Sequence, residues 1–158
     1  MIVAIIGPND HHRSAFLAMR TWEVLTKLVT RESARVFLFN NGGQFDRDCW
    51  EIVAQLKSRM PEIEMHYYHG VFDYDVGYVS YMKESYDKVF FPEKGIPLKG
   101  YLRDRQMIDE CDVLVTYYYD LQLEEEPKSS AVLAVEYAQS KKKKIINMYD
   151  LLFEYKPF

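Results

Sequence analysis

The sequence predicts an α/β fold, an open and mainly parallel sheet with helices on both faces, and three observations predict it. Short apolar runs alternate with longer amphipathic ones almost from end to end, the pattern of parallel strands joined by crossover helices. The segment up to residue 68 already reads as β-α-β-α-β. With 158 residues and 48% hydrophobic content, the chain can bury one sizeable core and is too short for two ordinary ones. A single domain over 1–158 is expected.

Residues 2–6, IVAII, form the first strand. A helix over 14–30 follows: Ser14 stands where an N-cap belongs, and Leu17, Val24, Leu25 and Leu28 recur at helical spacing. The second strand is 35–40, RVFLFN. The next helix, 45–59, turns Phe45, Cys49, Ile52, Val53 and Leu56 inward, and Pro61 stops it before a third strand at 63–68. Between His69 and Gly100 the periodicity fails. There "FDYDVGYVSYMKESYD" is rich in tyrosine, a short strand fits 87–91, and Pro92, Gly95, Pro97 and Gly100 signal turns. So long an aperiodic stretch reads as a lid or a ligand-facing loop. Order resumes with a helix at 99–110, a strand at 112–118, a helix at 129–141 and a last strand at 144–148. The aromatic tail, YDLLFEYKPF, is expected to cover the sheet or a neighbouring subunit.

Composition narrows the function classes. A net charge of −4 supplies no dominant positive field to collect phosphates, so a general nucleic-acid binder is not expected. The 13 Tyr and 9 Phe exceed what packing alone requires, so some rings should line a pocket or an interface. Cys49 and Cys111 stand in helical patterns far from any metal-ligand spacing, which points to reduced thiols and a cytoplasmic protein. The opening MIVAIIG is too short for a signal or a membrane span, and no membrane partner is expected.

In an open parallel sheet, ligands sit beyond the carboxyl ends of the strands. Three loops qualify: "GPNDHHR" at 7–13, Gly42-Gly43, and "DLQLEEEPKSS" at 120–130. Each also opens a helix, so backbone N–H groups and a positive dipole end would face the crevice, which suits phosphate. Two glycines with Asp46 just behind them suggest a backbone that something approaches closely. Yet Gly42-Gly43 fits neither a GxGxxG nor a P-loop pattern and serves equally as a plain turn. His11, His12 and Arg13 read as ligand contacts or as a solvated loop, and without a third ligand at a recognisable spacing no metal site is expected. Arg103 and Arg105, two apart on a helix, point to different faces. Arg103 is placed at the crevice and Arg105 in an ion pair with Asp104 or Asp109. Glu136 reads more readily as a surface carboxylate than as a catalytic one, and Lys141 to Lys144 as a solvated helix end where cations meet the dipole.

Taken together, "GPNDHHR", "NNGGQFDRDCWEIVAQLKSRMPEI", "YDKVFFPE" and "RDRQMIDECDVLVTYY" resemble the small SLOG-type Rossmann-like proteins, particularly the branch related to YpsA and the DUF1273 group. The likeness covers most of the chain. His12 and Arg13 look like that branch's first-loop pair. Gly43, Phe45 and Asp46 look like its glycine loop and Phe-Asp pair, and Arg103, Arg105, Met107 and Asp112 like its Arg-rich segment, with Asp104 where the branch has Asn. The wider superfamily includes cytokinin-activating phosphoribohydrolases, DNA-processing proteins and, more distantly, nucleoside deoxyribosyltransferases. The resemblance therefore implies a nucleotide or ribosyl-phosphate ligand. It also implies that Arg103 is similar to the phosphoribohydrolases' arginine and Glu136 to the glutamate closing their Gly-Gly-x-Gly-Thr-x-x-Glu motif. Ser129, Ser130 and Val132 stand where that motif has glycines, and Glu124, Glu125 and Glu126 add repulsion for phosphate, although the two serines retain hydroxyl donors.

Three functions are carried forward. The first is a binding or sensor module for a nucleotide or a nucleotide derivative such as an NAD fragment or ADP-ribose. Its contacts would be Gly7, His12, Arg13, Gly42, Gly43, Asp46, Arg103, Ser129 and Ser130, with Tyr68, Tyr74, Tyr78 and Tyr81 offering faces to a base. The second is an N-glycosidic phosphoribohydrolase or deoxyribosyltransferase-like enzyme, with Glu136 or Asp46 stabilising the ribosyl centre and Arg103 holding phosphate. The third is a structural or protein-interaction domain. No cofactor besides the ligand is called for, and homodimers are common among the relatives.

Overall fold

The computed structural model describes residues 1–8, 14–70, 74–92, 100–119, 124 and 126–153. Six strands, β1 (Ile2–Ile5), β2 (Val36–Phe39), β3 (Glu64–Tyr68), β4 (Lys88–Phe90), β5 (Val113–Thr116) and β6 (Lys144–Asn147), form one sheet in the order β4-β3-β2-β1-β5-β6. Every pairing is parallel. Strand β1 is central, with Val3 opposite Phe37 on one side and Val113 on the other. The chain winds outward from β1 to β4, then returns to the other side of β1 with β5. That reversal opens a crevice at the carboxyl edge.

Side chains alternate across each strand, so each face builds its own core. Val3 and Ile5 join Phe37, Phe39 and Val113 beneath α1 (Ala15–Arg31), α2 (Gln44–Arg59) and α6 (Met148–Phe153). Ala4, Ile6, Leu38 and Leu114 join Met107, Ile108, Ala134 and Val135 beneath α4 (Gly100–Glu110) and α5 (Ser130–Ser140). The fold is thus the Rossmann-like α/β arrangement that the alternating pattern predicts, with helices on both faces. Ser14 caps α1, its hydroxyl accepting from the Leu17 N–H at 3.0 Å. Leu17, Val24, Leu25 and Leu28 are all buried. Cys49 and Cys111 are free and buried. No described helix is long and apolar enough to cross a membrane.

Two segments differ from the sequence expectation. The stretch read as an aperiodic loop contains α3 (Val76–Ser85), started by Asp75, whose carboxylate accepts from the Tyr78 N–H at 2.7 Å. Its periodicity is faint because Met82 is its one buried residue. An N-cap followed by tyrosines, not an apolar stripe, was the available signal. The aromatic tail begins as helix α6, and Leu151 and Leu152 pack on the α1 and α2 core.

Candidate functional site

Asn40 is the first polar residue after the buried run of β2, and it is tied on three sides. Its N–H donates to Asp46 Oδ2 at 3.1 Å, its Oδ1 accepts from the Gly42 N–H at 2.9 Å, and its Nδ2 donates to Asp104 Oδ1 at 3.0 Å. One residue, through its backbone N–H and its side chain, therefore joins the start of α2, on one face of the sheet, to α4, on the other. Asn41 follows at φ 52°, a left-handed conformation that asparagine tolerates. The chain leaves the sheet there and not at either glycine.

The two glycines have separate reasons. A Cβ on Gly42 would stand 2.9 Å from Asn40 Oδ1, so that position is crowded by the chain itself. Gly43 is the N-cap of α2 in fully extended backbone, φ 170° and ψ −169°, and supplies no side-chain cap. Asp46, in the first turn, is only 2% exposed. Its Oδ1 is buried without a hydrogen-bond partner among the described residues. Burial pushes its carboxyl up to about 7, against the opposing pull of the Asn40 and Asn41 N–H groups and of the Arg103 and Arg47 charges.

Arg103 is oriented by Asp104, not Asp46: its Nε donates to Asp104 Oδ1 at 3.0 Å, the same oxygen that Asn40 holds. Neither Nη makes a hydrogen bond among the described residues. Gly70, just past β3, makes room for this guanidinium, because a Cβ there would stand 2.8 Å from Arg103 Cζ. The expectation that Arg105 would pair with Asp104 or Asp109 is corrected for Asp104. That carboxylate is 5% exposed and turned inward to Arg103, whereas Arg105, a helical step further round, lies 4.8 Å above the Tyr137 ring.

A cluster of rings stands beside Arg103. His69 stacks on Phe91 at 4.6 Å between centroids, with Tyr74 at 5.6 Å and Tyr78 at 5.4 Å around it. Its Nδ1 lies 2.8 Å from the Tyr67 hydroxyl, and its Nε2 is buried without a partner. Burial first, and the Arg103 charge second, lower the His69 pKa and favour a neutral imidazole. Of the four tyrosines proposed to face a base, Tyr74 and Tyr78 belong to this cluster. Tyr81, 62% exposed, stacks on Tyr78 at the margin of the cluster, and Tyr68 stacks on Phe90 with its hydroxyl bonded to Glu110.

The β1 and β5 side is built differently. Gly7 is buried because Phe45 packs against it, and a Cβ would meet Phe45 Cδ1 at 2.5 Å. Its carbonyl accepts from Ser130 Oγ at 3.2 Å, so the first and third loops do meet. Ser129 caps α5, its hydroxyl accepting from the Val132 N–H at 3.3 Å. Glu136 is exposed and pairs with Lys128 at 2.5 Å. Arg103, Ser130, Glu136 and Tyr137 nevertheless line one cleft of about 880 Å³ between α4 and α5, within the ~300–1,000 Å³ span of ligand pockets. His12 and Arg13 lie outside the described residues.

The sequence pointed to Gly42, Gly43, Asp46 and Arg103 at this edge but not to Asn40 or Gly70, and to Asp104 only as a partner for Arg105 or a departure from the family pattern. A polar residue ending a buried strand and a glycine directly after one were the signals available.

No protein-family model matches the chain, and no curated protein matches it in sequence. Solved structures do. DNA processing protein A (DprA) from Streptococcus pneumoniae superposes with a TM-score of 0.59 at 16% identity, over 90% of this chain and 48% of that one. The molybdenum cofactor carrier protein from Chlamydomonas reinhardtii gives 0.58 at 12% identity, over 96% of this chain and 81% of that one. Both likenesses are of fold. The chain spans about half the length of the DprA chain.

Proposed function

We propose that the carboxyl edge of β2 and β3 binds a nucleotide or a nucleotide derivative, of the NAD-fragment or ADP-ribose kind, and that the chain is a binding or sensor module of the SLOG type in the YpsA-like branch. The observation that carries this is Arg103: Asp104 fixes its Nε, Gly70 clears its path, and both Nη groups keep their donors near enough to His69 for the charge to act on it, while His69 in turn packs with the Tyr74, Tyr78 and Phe91 rings. A fixed guanidinium suits phosphate oxygens, and aromatic faces suit a base. The neighbour named as a cofactor carrier accords with holding a ligand rather than transforming it.

The N-glycosidic enzyme remains the second reading, because Arg103 and Glu136 share a cleft. Against it stands the Lys128 partner of Glu136, which competes for the carboxylate that the reaction would use.

A thermal-shift screen of wild type and Arg103→Ala against AMP, ADP, ATP, NAD, ADP-ribose and ribose 5-phosphate tests both. At a hundred times its dissociation constant a ligand adds about 2.7 kcal/mol of apparent stability. That gain is expected for at least one compound and should vanish in Arg103→Ala. A gain that survives the substitution refutes the proposed site. Release of base or ribose phosphate that Glu136→Gln abolishes would establish the enzyme instead.

A further inference from the structure

A second, smaller pocket opens between α2 and α3, on the opposite face from the α4 and α5 cleft. It has a volume of about 150 Å³ and is lined by Asp46, Arg47, Trp50, Tyr81, Ser85 and Tyr86, among others. That is about half the ~300 Å³ at which ligand pockets usually begin, so it takes one ring system and not a whole nucleotide. Its walls are aromatic: Trp50 meets Tyr86 edge-on at 6.3 Å.

Its polar groups are unusual for a structural crevice. Asp46 and Trp50 stand one turn apart on the same face of α2. Asp46 Oδ1, an acceptor, and Trp50 Nε1, a donor, are both buried and without partners. Native proteins leave few such atoms, and each calls for an explanation. At the rim, the exposed Arg47 makes no side-chain hydrogen bond or ion pair among the described residues. Across the edge, the Arg103 charge reaches Asp46.

We infer that this pocket is a base-reading subsite: it takes a single nucleobase-sized heterocycle bearing an amino group, whose N–H donates to Asp46 and whose adjacent ring acceptor receives the Trp50 indole N–H. The reading rests on the nucleotide proposal above and deepens it, with the phosphate on Arg103 and the base against the wall that Trp50 and Tyr86 form. The amino group follows from Asp46. Oδ2 accepts the Asn40 N–H at 3.1 Å and Oδ1 has no hydrogen-bond partner among the described residues, which leaves one acceptor for a single donor edge. With burial raising the carboxyl to about 7, an arriving N–H supplies the bond that the ionised form lacks.

The protein contains two tryptophans, Trp22 and Trp50, so a Trp22→Phe background leaves Trp50 as the sole indole reporter. Adenosine, cytidine, guanosine and uridine, all without phosphate, are titrated against it. Quenching of Trp50 by the amino-bearing nucleosides, more weakly by uridine, is expected. Asp46→Asn should weaken it at least about tenfold, the usual cost of losing a charged hydrogen-bond partner. Ser85→Phe, at an exposed position on the pocket wall, should abolish it while leaving the fold intact. Quenching that persists in both variants, or none at all, overturns the inference. If nucleotides still shift the melting temperature through Arg103 while Trp50 stays silent, only the subsite fails. If nucleosides quench Trp50 while Arg103→Ala binds nucleotides unchanged, the subsite stands and the phosphate site fails.

Discussion

The two halves of the carboxyl edge use similar residues to different ends. At β1 and β5 the described polar groups are taken up by the fold: Ser130 holds the Gly7 carbonyl, Ser129 caps α5, and Glu136 pairs with Lys128. The exception is Thr116 Oγ1, unpartnered but wholly buried. At β2 and β3, Asn40 ties Asp46 to Asp104 and Asp104 fixes Arg103, yet Asp46 Oδ1, His69 Nε2 and both Arg103 Nη groups are left over. Serines and a glutamate in a motif-like loop therefore say less about a site than whether their hydrogen-bonding capacity remains open. Among the described residues, the side that the phosphoribohydrolase motif would nominate is the closed one.

Substitutions should separate the two halves. The largest effect is expected at Asp46. In the unfolded chain its carboxyl loses its proton near 3.8, whereas the folded chain keeps it to about 7. Over that interval the folded form holds the extra proton, so its contribution makes stability fall as pH rises, and the loss levels off above 7. The difference amounts to about 4 kcal/mol. Urea denaturation of wild type and Asp46→Asn between pH 4 and 8 should show that slope only in the wild type, with the variant relatively more stable at pH 8. Parallel profiles would mean that Asp46 is not buried as charge-averse as described.

On the closed half the effects should be purely structural. Gly7→Ala pushes a methyl into the buried Phe45 ring and should cost about 1–3 kcal/mol in denaturant unfolding. Removing the α5 cap with Ser129→Ala should cost about 1 kcal/mol. Ligand affinity, measured calorimetrically well below the melting temperature, should be unchanged in both. Smallest of all, Glu136→Gln removes an exposed pair and should leave melting temperature and affinity alike where they were. A loss of affinity in any of these three would move the site toward β5.

The fold was legible because it depends on periodicity. Strands such as IVAI and VFLF are apolar from end to end, and Leu17, Val24, Leu25 and Leu28 mark one helix face. Helix α3 was hidden because it buries Met82 alone and packs through a half-buried tyrosine, Tyr78, and not through an apolar stripe. At the edge, Asp46 was found from its place behind the Gly42-Gly43 loop, and Arg103 from its helix position and family resemblance. The reason for their geometry was not legible, since it runs through contacts between residues distant in sequence: Asn40 with Asp104, and Gly70 under Arg103. Gly42 teaches the same point. Its lack of a side chain looked like room for a ligand, and the neighbour that crowds it is Asn40.

The most direct measurement is a crystal structure of the protein with ADP-ribose, or with whichever compound of the screen shifts it most. Phosphate oxygens within hydrogen-bonding distance of the Arg103 Nη groups, above Gly70 and beside His69, are the predicted result. Phosphate lodged instead against Gly7, Ser129 and Ser130, with Arg103 left to Asp104 alone, would contradict the account.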